Sequence, residues 1–143
     1  MQKTRILGID FGLKRVGVAI SDSDCKIALP RDPIENNGYD GVLEKIASIC
    51  DENSIKAIVL GYPVGFKGER TNIIEKVDDF CARLKDELNI AVILEDERYT
   101  TVQAHKYMND AGIRKSRKQG LKDSISATIF LQVYLDKLNA ELN

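Results

Sequence analysis

Along TRILGIDFGLKRVGVAISD, residues 4–22, the apolar positions fall into two runs rich in Ile, Val and Leu, 4–10 and 15–22. They predict two strands joined by a tight turn at Gly12. A third extended segment, roughly 25–30, follows Asp22–Ser23–Asp24 and ends near Pro30 and Pro33. The connections are too short for crossovers, so the three strands are expected to form an antiparallel meander.

Beyond them the period changes. Val42, Leu43, Ile46, Ile49 and Cys50 recur at helical spacing and predict a helix over about 40–52. IKAIVLGYP, 55–63, is almost wholly apolar and predicts a strand covered on both faces. The loop VGFKGER leads to a second helix, with Asn72 and Glu75 spaced as a capping box and a stripe of Ile73, Val77, Phe80, Leu84 and Leu88. IAVILEDER, 90–98, reads as another buried strand that breaks into charge at Glu95. A third helix is expected from Thr100, its apolar face at Ala104, Tyr107, Met108 and Ala111, ending at Gly112. After a basic loop, a last helix is expected from about Leu121 to Leu138. The order β-β-β-α-β-α-β-α-α implies a mixed five-stranded sheet, an antiparallel meander of three strands plus two parallel strands, flanked by helices.

The bulk numbers narrow the class. A chain of 143 residues, 43% hydrophobic and 30% charged, suits one domain over 1–143. No apolar run approaches the ~20 residues of a membrane span, and MQKTR leads straight into a strand pattern, so a cytoplasmic protein without membrane partners is expected. Cys25, Cys50 and Cys81 are far apart, with no CxxC pair and a single histidine, His105, which argues against a disulfide framework or a thiolate zinc site. The net charge of −1 excludes indiscriminate coating of polyanions. Any nucleic-acid contact must be local, and RKSRK, 114–118, between Lys106 and Lys122, is the candidate patch.

In open sheets, sites form beyond the carboxyl ends of parallel strands. Three such ends carry this chain's least ordinary residues: Asp10, the Gly61–Pro63 turn, and Asp96–Arg98. A further carboxylate, Asp123, stands near the start of the last helix, one turn before the small Ala127 that would let the helix approach the sheet. Carboxylates converging without a cation would repel and raise one another's pKa. Hard Mg²⁺ or Mn²⁺ ions remove that penalty, and two of them can activate water and stabilise the leaving oxygen of a phosphodiester.

GIDFGLKRVGVAISD, IVLGYP, LEDERYTTVQA and KDSISATIFLQVYLD together resemble the YqgF family, ribonuclease H-like proteins related to RuvC-type Holliday junction resolvases. The likeness covers nearly the whole chain in order. It departs after GYP, where VGFKGE replaces an Asn-Met-Asp-Gly-like loop. The resemblance implies a ribonuclease H-like fold and a nuclease dependent on Mg²⁺ or Mn²⁺, with two ions expected. Its implied role is maturation of the 5′ end of precursor 16S rRNA. By motif, Asp10, Glu97 and Asp123 would be the metal-binding catalytic set, with Asp96 a helper ligand or a partner of Arg98. Lys14, Arg15, Lys67, Arg70, Arg98, Arg114, Lys115, Arg117, Lys118 and Lys122 are the expected nucleic-acid contacts, and Gly61, Gly65 and Gly68 could bring backbone amides to phosphate. Precursor rRNA ranks ahead of branched DNA as substrate, and monomer and homodimer stay open. Two other classes compete. An actin-like ATPase shares the Asp-x-Gly hairpin but needs two such domains, and a non-catalytic RNA-binding assembly factor would have carboxylates too far apart to share a metal.

Overall fold

The computed structural model describes residues 4–63, 71–96 and 115–142, with side chains in the later parts over 73–96 and 124–141. Its strands are β1 (Arg5–Asp10), β2 (Arg15–Ser21), β3 (Ala28–Glu35), β4 (Ile55–Tyr62) and β5 (Ala91–Asp96). The described helices are α1 (Tyr39–Asn53), α2 (Thr71–Leu88) and α3 (Lys115–Leu142). One sheet runs β3-β2-β1-β4-β5. β1, β2 and β3 pair antiparallel, whereas β4 lies parallel to β1 and β5 parallel to β4. This is the mixed sheet that the hydrophobic pattern predicts.

The alternation of β1 divides the interior into two layers. Leu7, Ile9 and Phe11 point to one side, where Val42, Leu43, Ile46 and Cys50 of α1 and Val77, Phe80, Cys81 and Leu84 of α2 cover them. Phe11 stacks on Phe80 with ring centroids 4.8 Å apart. Ile6 points to the other side, into a core built with Ala19, Val59 and four residues of α3: Ala127, Phe130, Leu131 and Leu135. Gly8 shares that side. A Cβ there would sit 2.9 Å from Leu131 Cβ and 3.1 Å from the Ala127 carbonyl oxygen, so β1 and α3 meet almost backbone to backbone. Ala127 does let the helix come close, and Gly8 is the other half of that contact.

The cysteines are free and buried. Cys50 and Cys81 pack in the larger core as small hydrophobes, and burial, helped by Asp51, pushes the Cys50 thiol up to about 11.

Four expectations need revising. The third strand starts at Ala28 and runs through both prolines. This works because β3 is an edge strand, where a missing N–H need not interrupt a ladder. β5 is the opposite edge rather than a strand covered on both faces, and Leu94 is 47% exposed. The last helix begins at Lys115, not near Leu121, so residues 115–118 are its first turn rather than a loop and Gly120 lies inside it. α2 likewise already includes Asn72, one residue ahead of the start that the capping box implies. The helix expected from Thr100 lies outside the described residues.

Candidate active site

β1, β4 and β5 run parallel, so their carboxyl ends share one edge of the sheet. Ile9 is paired with Leu60, Asp10 and Gly61 follow them, and Gly61 is paired with Glu95. Alternation puts Asp10 on the side of Ile6 and Gly8, the side that α3 covers. Asp10 is partly buried there, where a carboxylate keeps some access to water.

The turn after Asp10 is tight. A Cβ on Gly12 would lie 2.3 Å from the Arg15 carbonyl oxygen, so only glycine fits without moving backbone. Asn36 fastens the turn from β3's end: its Nδ2 donates to the Gly12 carbonyl (2.8 Å) and its backbone N–H to the Lys14 carbonyl (2.9 Å). Lys14 and Arg15 are thus carried on a braced hairpin beside Asp10.

α3 crosses the same face in the direction opposite to β1. Near its end, Asn139 Nδ2 donates to the Cys25 carbonyl (3.0 Å), and Gln132 grips both the Ala28 N–H and the Lys26 carbonyl (each 2.8 Å). At the other end, the buried Ser124 Oγ accepts from the Val18 N–H (3.3 Å). Val18 is the partner of Ile9 and stands where the β2–β3 register slips. The helix backbone at position 123 is therefore adjacent to an anchor level with the end of β1, on the face that holds Asp10. Residues 115–122 continue for about 12 Å of helix at 1.5 Å per residue, beyond that anchor.

Not every candidate is brought together. Asp96 is level with Tyr62, which packs in the α1–α2 core, so alternation turns Asp96 away from Asp10's face. Glu97, Arg98, Lys67, Arg70, Gly65, Gly68, His105 and Arg114 lie outside the described residues, and the side chains of Lys115, Arg117, Lys118, Lys122 and Asp123 do too. Among the described residues no three of His, Cys, Asp or Glu gather closely enough to hold a metal. Of the three motif carboxylates only Asp10 has a described side chain. It is a hard oxygen donor, the ligand type Mg²⁺ and Mn²⁺ prefer.

Three supporting groups escape the sequence pattern. Ser124, Gly8 and Glu95 all fix α3 against the sheet. Glu95 Oε1 accepts from Lys137 Nζ at 2.6 Å and is 8% exposed, so a strand-end carboxylate that reads as part of an acidic cluster is instead a clamp on the helix. No local signal marks it, since its partner is 42 residues away. Across the sheet, partial burial together with Asp78 raises the Tyr62 hydroxyl above its usual range.

Comparison with known proteins completes the description. A relative from Ruminiclostridium cellulolyticum named "Putative pre-16S rRNA nuclease" is 38% identical over 135 residues, covering 94% of this chain and 95% of its own. A Clostridium kluyveri protein of the same name is 36% identical, covering 94% and 98%. Among solved structures, Thermus thermophilus RuvC bound to a Holliday junction superposes with a TM-score of 0.61 at 10% identity over 94% of this chain and 96% of its own. The fowlpox virus Holliday junction resolvase gives 0.58 at 14% identity, covering 93% and 99%. At such identities these two show the fold, which is ribonuclease H-like. Residues 4–137 match the family described as RuvX, Holliday junction resolvase, and the chain belongs to that family.

Proposed function

We propose that this protein is a divalent-metal-dependent nuclease acting in the 5′ maturation of precursor 16S rRNA, with Asp10, Glu97 and Asp123 as its metal ligands. The observation that carries the reading is the placement of Asp10. It ends β1 on the face crossed by α3, and the Ser124 anchor holds position 123 at the same end of the sheet. The curated relatives' name favours precursor rRNA over branched DNA.

In this reading Asp10, Glu97 and Asp123 would hold Mg²⁺ or Mn²⁺, and the bound ions supply an activated water and charge stabilisation at the leaving oxygen. The chain itself contributes a rigid edge. The Gly12 turn fixes where Asp10 ends, and the Ser124, Gln132 and Glu95–Lys137 contacts keep α3 from sliding. Asp96, turned to the other face, is assigned a supporting role outside the metal set. Calorimetric titration with Mn²⁺ tests the assignment. Glu97→Gln and Asp123→Asn are each expected to abolish the binding seen in the parent, while Asp96→Asn retains it. Equal binding by all three variants would reject the ligand set.

The basic run gains a new role from the start of α3. Lys115, Arg117 and Lys118 fall in the first turn of a helix, where backbone N–H groups and the helix dipole already favour an anion. Phosphates arriving at the metal edge would meet this turn. Replacing Arg114, Lys115, Arg117 and Lys118 with alanine should weaken RNA binding. Its logarithmic salt slope should flatten by about 0.7 for each phosphate that the variant no longer neutralises. An unaltered slope across a salt series would make the run a solvated surface.

A further inference from the structure

A cleft of about 280 Å³ opens on the side of the sheet away from α3, lined by Phe11, Leu13, Asn36, Gly38, Tyr39 and Lys76. Nothing in the metal-site reading uses it, yet it stands at the same edge. Phe11 directly follows Asp10, and Leu13 lies at the tip of the turn that Asp10 enters. We propose that this cleft receives an unpaired base of the substrate strand where the strand passes over the sheet edge from the phosphate held at Asp10, which faces α3 on the other side. The proposal rests on the nuclease reading above and adds to it a preference for single-stranded substrate next to the cut.

Three properties favour a base as the occupant. The cleft falls at the small end of ligand sites, below the volume that larger organic ligands need. Its apolar surface is aromatic and aliphatic: the half-buried Tyr39 and Leu13, 59% exposed, form its accessible walls over a floor of Phe11, which is buried and stacked on Phe80. A leucine that exposed at the tip of a braced turn contributes nothing to the core and offers a flat apolar contact to a ring. The rim supplies polar and cationic groups. Asn36 spends one donor on the Gly12 carbonyl and one acceptor position on the Gly38 N–H, which leaves one of each for a base edge. Lys76 lines the cleft, and Lys14 is on the adjoining turn. Stacking surface plus backbone-neutralising cations is the combination by which single strands are held without sequence preference. The site is also rigid. Tyr39 Oη donates to the Lys76 carbonyl at 3.3 Å, and the Arg83 guanidinium lies 5.7 Å from the Tyr39 ring centroid. A side chain at Gly38 would meet nothing within 4 Å, so that wall of the cleft is open.

The test is a fluorescence titration in EDTA, so that nothing is cut. The probe is a short single-stranded oligoribonucleotide carrying one 2-aminopurine, whose emission falls on stacking, and a fully paired duplex and the DNA counterpart are run alongside. The parent should quench the single-stranded probe. Leu13→Asp and Lys76→Ala, both at exposed positions and checked by thermal unfolding, should lower its affinity about tenfold and about threefold and reduce the preference for single strand over duplex. Loss with RNA and DNA alike identifies the base as the recognised group. Absence of quenching by the parent, or a preference unchanged in both variants, overturns the proposal. Cleavage of the same RNA with Mn²⁺ is measured separately. If the parent cuts but the variants bind as it does, the cleft falls and the nuclease stands. If the variants lose binding but the parent never cuts, the base site stands without the nuclease.

Discussion

Asp10→Asn is expected to lower cleavage by more than about 10³-fold, beyond the 10²–10³ that loss of one transition-state hydrogen-bond donor costs. RNA affinity should stay largely intact, because the change would remove a proposed metal ligand and leaves the cationic surface alone. The carboxamide is nearly isosteric with the carboxylate it replaces. A second signature separates this from a structural defect. Mn²⁺ should raise the parent's melting temperature, as any ligand of the folded state does, and should leave that of Asp10→Asn where it was. If the variant melts like the parent, responds to Mn²⁺ like the parent and cuts like the parent, Asp10 is not a ligand.

The largest effect on stability is expected at Gly8. A valine there would drive its branches into Leu131 and the Ala127 carbonyl, which already lie 2.9 and 3.1 Å from the position of a Cβ. Neither atom is the end of a flexible side chain, so α3 itself must lift. Overpacking of this kind costs about 3 kcal/mol, or about 10 °C in melting temperature for a domain of this size. Because α3 also carries position 123, activity should fall even at temperatures where Gly8→Val stays folded. Gly41 provides the contrast. It lies inside α1 with open space around its missing Cβ, and Gly41→Ala should stabilise by about 0.5–1 kcal/mol. Thermal unfolding of the pair checks both signs.

These residues also show where a sequence is transparent. The two strands around Asp10 are legible because their apolar alternation is local, and a carboxylate closing an apolar strand stands out by the cost of burying it. That Asp10 faces α3 is not local. It depends on Gly8 meeting Ala127 and Leu131 more than a hundred residues later, and only the small size of Ala127 hints at it. The prolines at 30 and 33 obscure β3, because they argue against a strand only if it is central, and edge position is a tertiary property. Gly120 and the basic run obscure the start of α3 for a related reason. Glycine costs a helix about 1 kcal/mol, but a helix anchored along its length by Ser124, Gln132, Lys137 and Asn139 can carry that cost. Glu95 is the clearest case: in LEDER it looks like one more member of an acidic cluster, and only the packed fold shows it pinned to Lys137.

The most direct test of the central claim is incubation of the purified protein with a precursor 16S rRNA fragment that retains its 5′ leader, and in parallel with a four-way DNA junction, each with Mn²⁺ or with EDTA. The precursor should be cleaved on its 5′ side in Mn²⁺ and left intact in EDTA, and the junction should stay uncut. Cleavage that persists in EDTA, or a precursor left intact while the junction is resolved, would contradict that claim.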